Sequence, residues 1–176
     1  MCDPIKLFEV VLSEFHNATK WDNVVFGKIK TISNTKVGSV GQTFIERLCG
    51  ELSMPCTFPI NIIGERLTQS PWDIKISNIE FELKTATEDI SGKFQFNHIR
   101  LHHRPYQGLL CLGVSPSKLY FGIWSKTEVT TGKAGNLASM EKGANASYKL
   151  TKSPNQLFEI EHFKSEIEKF AIRYRT

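Results

Sequence analysis

The chain has 176 residues, of which 40% are hydrophobic and 23% are charged, and this composition predicts one globular domain over residues 1–176 and excludes intrinsic disorder. Lysine and arginine number 22 against 18 acidic residues, and the resulting net charge of +4 suits a nucleic-acid partner without requiring one. Neither a signal peptide nor an apolar stretch of membrane length is recognisable, so we expect a cytoplasmic protein with no membrane partner.

The cysteines give no sign of a zinc site or a disulfide framework. None of the four forms a Cys-x-x-Cys pair, and the spacing of Cys49 and Cys56 is too wide for half of a zinc-binding motif. We therefore expect buried free thiols in a reducing compartment. The four residues are Cys2, Cys49, Cys56 and Cys111.

Two amphipathic helices are predicted early in the chain. In residues 4–19 the apolar side chains recur at helical spacing behind a possible Asp3 N-cap, and this stripe predicts core packing or a subunit contact. The second helix begins near Val40, after a predicted loop that contains Gly38 and Gly41. Its inward side chains are Phe44, Ile45, Leu48, Cys49 and Leu52. Residues 55–69 are predicted to form a loop with a short strand at most.

Two apolar stretches, residues 70–76 and 79–86, are predicted to be adjacent strands. Because strand side chains alternate between faces, Glu82 and Lys84 emerge on one side while Phe81 and Leu83 enter the core. Asp73 stands at the head of the first strand, and the pattern predicts that its carboxylate converges with that of Glu82.

The chemistry that needs such a set is the hydrolysis of a phosphodiester. Asp73 and Glu82 would hold one or two Mg²⁺ ions, with the carbonyl of Leu83 as a possible further ligand. Lys84 would orient the attacking water, help it lose a proton, and stabilise the negative charge that develops on the phosphorane. The alternative is an exposed strand face on which the Glu82 and Lys84 charges are simply solvated.

Asp73 followed by Glu82-x-Lys84 on a hydrophobic strand resembles the signature of the PD-(D/E)XK nuclease superfamily. Trp72 departs from it, because it is inserted where that family often has Pro-Asp. Residues 80–85 and 89–94 also resemble a segment of type II restriction endonucleases. The resemblance implies an α/β fold with a mixed central β-sheet flanked by helices, a restriction-endonuclease-like core. It also implies Mg²⁺-dependent, site-specific cleavage of double-stranded DNA. In this superfamily a helix before the catalytic strands can add an acid, which makes Glu46 a candidate, although a solvated helix glutamate is the alternative.

A polar turn over residues 87–93 leads to a segment, residues 94–104, that is rich in groups able to read base edges. Phe94 and Ile99 would anchor this element. The residues predicted to project from it into the major groove are Gln95, Asn97, His98 and Arg100. The alternatives are a polar helix or loop facing water, a helical metal pair of His98 and His102, and a His-Asn-His type nuclease, against which the strand alternation upstream argues.

The last third of the chain is predicted to complete the sheet. Residues 108–114 are continuously apolar and predict a buried strand, with residues 118–124 as its neighbour. Residues 127–148 are predicted to be a mobile loop that either wraps the DNA backbone or is an idle surface loop. A closing helix is predicted to begin with Ser153 as N-cap and Pro154 at its first position. Its apolar stripe is Phe163, Ile167, Phe170, Ala171 and Tyr174.

One domain with one such site predicts a homodimer, because cutting both strands of a duplex at a palindromic target requires two sites related by a two-fold axis. Two alternatives remain open. A structure-specific or repair nuclease of the same superfamily would keep the same three residues without base discrimination. A non-enzymatic DNA-binding domain would bind DNA and need none of the three.

Overall fold

The computed structural model describes residues 19–67, 70–102 and 104–175. The helix predicted over residues 4–19 therefore lies almost entirely outside the described residues, as do Cys2 and His103. Within the described part of the chain there are nine strands. They are β1 (Cys56–Thr57), β2 (Ile74–Ile76), β3 (Ile79–Thr87), β4 (Phe94–Ile99), β5 (Gly108–Val114), β6 (Leu119–Ser125), β7 (Leu137–Glu141), β8 (Ser147–Lys152) and β9 (Phe158–Glu159).

The larger sheet is mixed, which confirms the predicted fold class. Among the described residues it contains six strands in the order β1-β2-β3-β5-β6-β9. β3 and β5 run parallel, with Glu82 opposite Leu109 and Lys84 opposite Cys111, whereas the other neighbouring pairs are antiparallel. Residues 108–114 and 118–124, predicted to be neighbouring strands, correspond to β5 and β6, which pair along their whole length.

A second sheet is formed by β4, β8 and β7 in that order, all antiparallel. The prediction of a mobile loop over residues 127–148 is wrong, because this stretch supplies β7, the first residues of β8 and a short helix. Its glycines stand in turns, with positive φ at Gly132, Gly135 and Gly143, while the adjoining segments pair as strands. The loop-like composition of this stretch therefore marks tight turns between regular elements.

Three α-helices are described: α1 (Asn34–Glu51), α2 (Lys126–Thr130) and α3 (Phe163–Arg175). The predicted loop before Val40 is wrong, because α1 already begins at Asn34 and Ser33 caps it by accepting a hydrogen bond from the Lys36 amide at 3.4 Å. In the part of the chain that the structure describes, no helix combines the length and the apolarity needed to cross a membrane.

The closing helix begins later than its sequence signal predicts. The capping box of Ser153 and Gln156 is present, but it closes a 3-10 turn over Pro154–Gln156. Residues 158–159 then pair with β6 as β9, so the chain is extended before α3 can begin at Phe163. The apolar stripe of α3 is buried as predicted except at Tyr174, which is exposed and stacks on Phe170.

The central sheet separates two hydrophobic clusters. Phe81 and Leu83 of β3 pack on one face, with side chains of α1 and α3. Ala86 of β3 and Cys111 of β5 pack on the other face, with side chains of the second sheet. Since alternate residues of β3 share a face, Glu82 and Lys84 lie on the side of the second sheet. The predicted alternation of β3 is therefore confirmed.

Three cysteines fall within the described residues, and all three are free thiols. Cys49 and Cys111 are buried, and Cys56 is partly buried. The neighbouring Cys56 thiol and burial raise the pKa of the Cys49 thiol, although α1 carries only Cys49. Their proximity ties the end of α1 to β1.

Gly41 sets the distance between α1 and β3. A Cβ atom at this position would lie 1.9 Å from Oγ1 of Thr85, so the helix would have to move away from the sheet. We expect Gly41→Ala to lower the free energy of unfolding by about 1–3 kcal/mol, measured by chemical denaturation. The control is Gly38→Ala in the same helix, where no atom lies within 4 Å of the added Cβ. It should raise stability by roughly 0.5–1 kcal/mol, and equal effects of the two changes would contradict this packing.

Candidate active site

Asp73 is fixed against β3 through both its backbone and its side chain. Its amide donates to the carbonyl of Phe81 at 2.8 Å, which continues the pairing of β2 with β3 by one residue. Further along β3 a side chain replaces the backbone partner: Oδ2 of Asp73 accepts a hydrogen bond from the Leu83 amide at 2.8 Å. The carboxylate is therefore held at the edge of β3, just before β2 begins.

Glu82 is the buried centre of the site. Only 1% of the residue is exposed, and a carboxylate in such a position needs charged or hydrogen-bonding partners. Oε1 lies 2.7 Å from Nζ of Lys84, and Oε2 lies 3.4 Å from Nη1 of Arg104. Each oxygen of the carboxylate thus faces one cation.

Arg104 was not singled out by the sequence, because no motif distinguishes it from the other basic residues of the 94–104 segment. Its Nη1 also donates to the carbonyl of Ser70 at 2.9 Å, and its own carbonyl accepts a hydrogen bond from Nζ of Lys126. The guanidinium therefore links Glu82 to the loop that carries Asp73. Its exposure is 23% of the side chain, so one part of it still faces solvent.

Gln42 is a second residue that the sequence did not indicate. Its Nε2 donates to the carbonyl of Asp73 at 3.3 Å. α1 therefore also holds the loop that carries Asp73. In the sequence Gln42 is an ordinary polar helix residue three positions from the buried Ile45. Only the tertiary packing of α1 against the sheet brings it to the site.

Three charged neighbours act on the carboxylate of Asp73. Burial raises the pKa of Asp73 above its ordinary value, and the nearby negative charge of Glu82 raises it further. The Leu83 amide, Lys84 and Arg104 act on that pKa in the opposite direction but do not cancel the rise. Two carboxylates that repel each other in a partly desolvated place would both be stabilised by a bound cation.

The donor set fits a hard divalent cation such as Mg²⁺. Asp73 and Glu82 supply carboxylate oxygens, which such ions prefer. The amide of Leu83 points toward Asp73, and because the amide and carbonyl of one strand residue point to the same edge, its carbonyl leaves the strand on that side as well. No group of three or more His, Cys, Asp or Glu side chains suited to a metal occurs among the described residues, so water would complete the coordination.

Lys84 is more enclosed than a surface lysine. Its side chain is 20% exposed, and its ammonium is held in contact with the buried Glu82. The alternative of two solvated charges is therefore disfavoured for this pair, because solvated pairs lie on exposed faces. A group at this position can donate hydrogen bonds to a phosphate oxygen or to an attacking water.

The four predicted DNA-reading residues lie on or just after β4, in the second sheet. Phe94 and Ile99 are fully buried, and Gln95, Asn97 and His98 are exposed, as the predicted anchoring required. His98 adopts a positive φ of 56° where the pairing of β4 with β8 shifts register. Arg100 is half-buried and follows the strand.

Two of these side chains already have partners in the structure. Nε2 of Gln95 donates to Oδ2 of Asp89 at 2.8 Å, and Nδ1 of His98 lies 3.9 Å from a carboxylate oxygen of Glu141. The helical metal pair of His98 and His102 is excluded, because His98 belongs to a strand and not to a helix.

Glu46, the candidate further acid, points to a different partner. Its Oε2 lies 3.4 Å from Nη1 of Arg66, and its side chain is 44% exposed. The structure thus brings Asp73, Glu82 and Lys84 together and adds Arg104, while Glu46 lies in a solvated ion pair.

Comparison with known proteins adds little to this geometry. No protein-family model matches the sequence, and no characterised protein matches it at a significant level. A solved structure of a bacterial homing endonuclease, I-Ssp6803I, is similar with a TM-score of 0.43 and 10% sequence identity, over 69% of this chain and 75% of that chain. A likeness of that size assigns neither an activity nor a residue role here.

Proposed function

We propose that this chain is a Mg²⁺-dependent endodeoxyribonuclease of the PD-(D/E)XK type that cleaves double-stranded DNA at a specific site. The observation that carries the proposal is the convergence of Asp73, Glu82 and Lys84. A buried Glu82 contacts Lys84 at 2.7 Å, and Asp73 is anchored to the amide of the residue between them. Burying two acids and an amine together lowers the stability of the fold, so a purely structural role does not explain the arrangement. The same three groups suit phosphodiester hydrolysis.

In the proposed mechanism Asp73, Glu82 and the Leu83 carbonyl would hold the divalent cation. When bound, this ion supplies Lewis acidity toward the phosphate and makes water more acidic. Lys84 orients the attacking water and donates to a phosphate oxygen on which charge develops. The water oxygen forms its bond to phosphorus as the bond to the leaving sugar oxygen breaks. The attacking water releases one proton to solvent, and a proton from solvent neutralises the leaving oxygen.

The second sheet would supply the DNA-reading surface. Gln95, Asn97 and His98 are exposed on β4, and the chain after β4 returns to the site, where Arg104 contacts Glu82. A duplex with its scissile phosphate at Lys84 would therefore pass close to β4 and Arg100. Amide, imidazole and guanidinium groups of this kind discriminate base edges in the major groove. Cleavage of both strands at one site would follow from a homodimer.

Digestion of plasmid DNA with Mg²⁺, followed by sequencing of the ends, tests this function. We expect discrete fragments with one common end sequence, and no cleavage when EDTA removes the cation. A smear would contradict site specificity. Absence of cleavage on plasmid and genomic DNA would contradict the nuclease activity, and cleavage that persists in EDTA would contradict the role of the cation.

The second candidate is a structure-specific or repair nuclease with the same three residues. Two contacts favour it: Gln95 hydrogen-bonds Asp89, and His98 lies close to Glu141. Side chains that already have such partners are less available to bases. Branched and mismatched duplexes distinguish the two, since only a structure-specific enzyme would prefer them over a linear duplex of the same sequence.

A further inference from the structure

We propose that Arg104 couples DNA binding to cation binding by competing with the divalent cation for Glu82. This inference rests on the proposed function and concerns the same site. Arg104 is a positioning residue in this account, because it acts on the cation through the carboxylate of Glu82. Lys84 keeps its separate role at the reacting phosphate.

The competition follows from the charges that converge on Glu82. Asp73 and Glu82 are balanced by Lys84 and Arg104, so the site is already neutral when all four are ionised. A divalent cation would add two positive charges to a place where only 1% of Glu82 is exposed. Like charges in such surroundings repel strongly, so the cation and the guanidinium cannot both occupy Oε2 of Glu82 at low cost.

The geometry shows how Arg104 would be released. The hydrogen bond from Nη1 of Arg104 to Glu82 is long, at 3.4 Å. The same nitrogen also donates to the Ser70 carbonyl, at 2.9 Å. Within the described residues, Nε and Nη2 have no hydrogen-bond partner, and the side chain is 23% exposed. A partly exposed guanidinium of this kind is suited to a bidentate contact with a phosphate group.

A DNA phosphate would therefore remove the repulsion between the cation and the Arg104 guanidinium. It would attract the guanidinium away from Glu82, free a carboxylate oxygen for the cation, and add the negative charge that the loaded site lacks. The cation should consequently bind weakly to the free protein and tightly to its DNA complex. By reciprocity the cation should tighten DNA binding by the same factor.

Two measurements on the full chain test this coupling, with Ca²⁺ as the probe because it takes the same oxygen ligands. Calorimetry gives the affinity of Ca²⁺ for the free protein, and the anisotropy of a labelled duplex gives DNA affinity with and without Ca²⁺. The wild type should bind DNA about tenfold or more tightly with Ca²⁺, a typical size for such coupling. Arg104→Gln should bind Ca²⁺ about tenfold more tightly than the wild type without DNA, and Ca²⁺ should change its DNA affinity by less than about twofold.

The matched control is Arg66→Gln, which removes another arginine at 3.4 Å from a glutamate oxygen, in a solvated pair outside the site. It should behave as the wild type in both measurements. If Arg104→Gln does not fold, as judged by thermal unfolding, Arg104→Met keeps the apolar stem and carries the same expectation.

Wild-type values for Arg104→Gln or Arg104→Met in both measurements would overturn the inference while leaving the nuclease proposal intact, provided that the wild type cleaves DNA. A wild type that binds no Ca²⁺ under any condition and cleaves no DNA would overturn both.

Discussion

Replacement of Lys84 by methionine should lower the rate of DNA cleavage by about 10²–10³-fold, the usual loss when one group that stabilises transition-state charge is removed. DNA affinity should remain within a few-fold of the wild type, because the other basic residues would still contact the DNA backbone. The reason lies in the position of the ammonium, 2.7 Å from Glu82 and next to the proposed cation ligands. Single-turnover cleavage at saturating DNA measures the rate, and anisotropy measures the affinity.

Lys75→Met is the matched control for this experiment. Lys75 also pairs with a glutamate, Glu80, at 2.9 Å, and it lies on the adjoining strand, but both partners of this pair are more exposed than Lys84 and Glu82. Its removal should leave the cleavage rate within about threefold, as expected for a solvated ion pair. Equal losses for the two variants would show that charge on these strands matters in general and would remove Lys84 from the proposed chemistry.

Replacement of Asp73 by asparagine should strongly slow cleavage and yet stabilise the cation-free protein at neutral pH. Asparagine keeps an acceptor for the Leu83 amide but removes a charge that is partly buried and repelled by Glu82. The loss of a ligand carboxylate should lower the cleavage rate by about 10³-fold, in the range found for groups that stabilise transition-state charge. The gain in stability is the usual consequence of relieving a strained functional site.

The pH dependence of that gain follows from the raised pKa of Asp73. Because the folded protein holds the proton of Asp73 more tightly than the unfolded chain does, stability is lost as the pH rises through the folded-state pKa. Asparagine does not titrate, so the stability difference between variant and wild type should be small at about pH 3, below the ordinary pKa of an aspartate, and should grow toward neutral pH. Thermal unfolding at several pH values measures it.

Adding Mg²⁺ should reverse the order of stability of these two proteins. A ligand that binds only the folded state stabilises it, so the wild type should gain stability with Mg²⁺ while Asp73→Asn gains little. A variant that is less stable than the wild type at neutral pH without Mg²⁺ would contradict the electrostatic account of Asp73.

The sequence was sufficient to predict β3 and its two faces. The alternation of Phe81 and Leu83 with Glu82 and Lys84 is a local property of the strand, and burial of the apolar pair follows directly from it. The same holds for β5, whose continuous apolar run requires cover on both faces. Such patterns predict the strand correctly because the tertiary packing buries the same apolar side chains.

The elements that were predicted wrongly depend on tertiary structure. The capping box at Ser153 stabilises a 3-10 turn because the chain after it pairs with β6, and no local signal reveals that pairing. Gly38 and Gly41 indicate a loop by composition, yet Gly41 is required where α1 meets Thr85. In the site, Arg104 and Gln42 come from distant segments and reach Glu82 and Asp73 only through the fold.

The central claim is that Glu82 is the carboxylate on which cleavage depends, and digestion of one plasmid by three proteins in Mg²⁺ tests it most directly. The proteins are the wild type, Glu82→Gln and Glu46→Gln, where the last removes an acid outside the site that pairs with Arg66 in solvent. We predict that the wild type and Glu46→Gln cut the plasmid at similar rates and that Glu82→Gln, although folded, does not cut it. Cleavage by Glu82→Gln at the rate of the wild type would contradict the account.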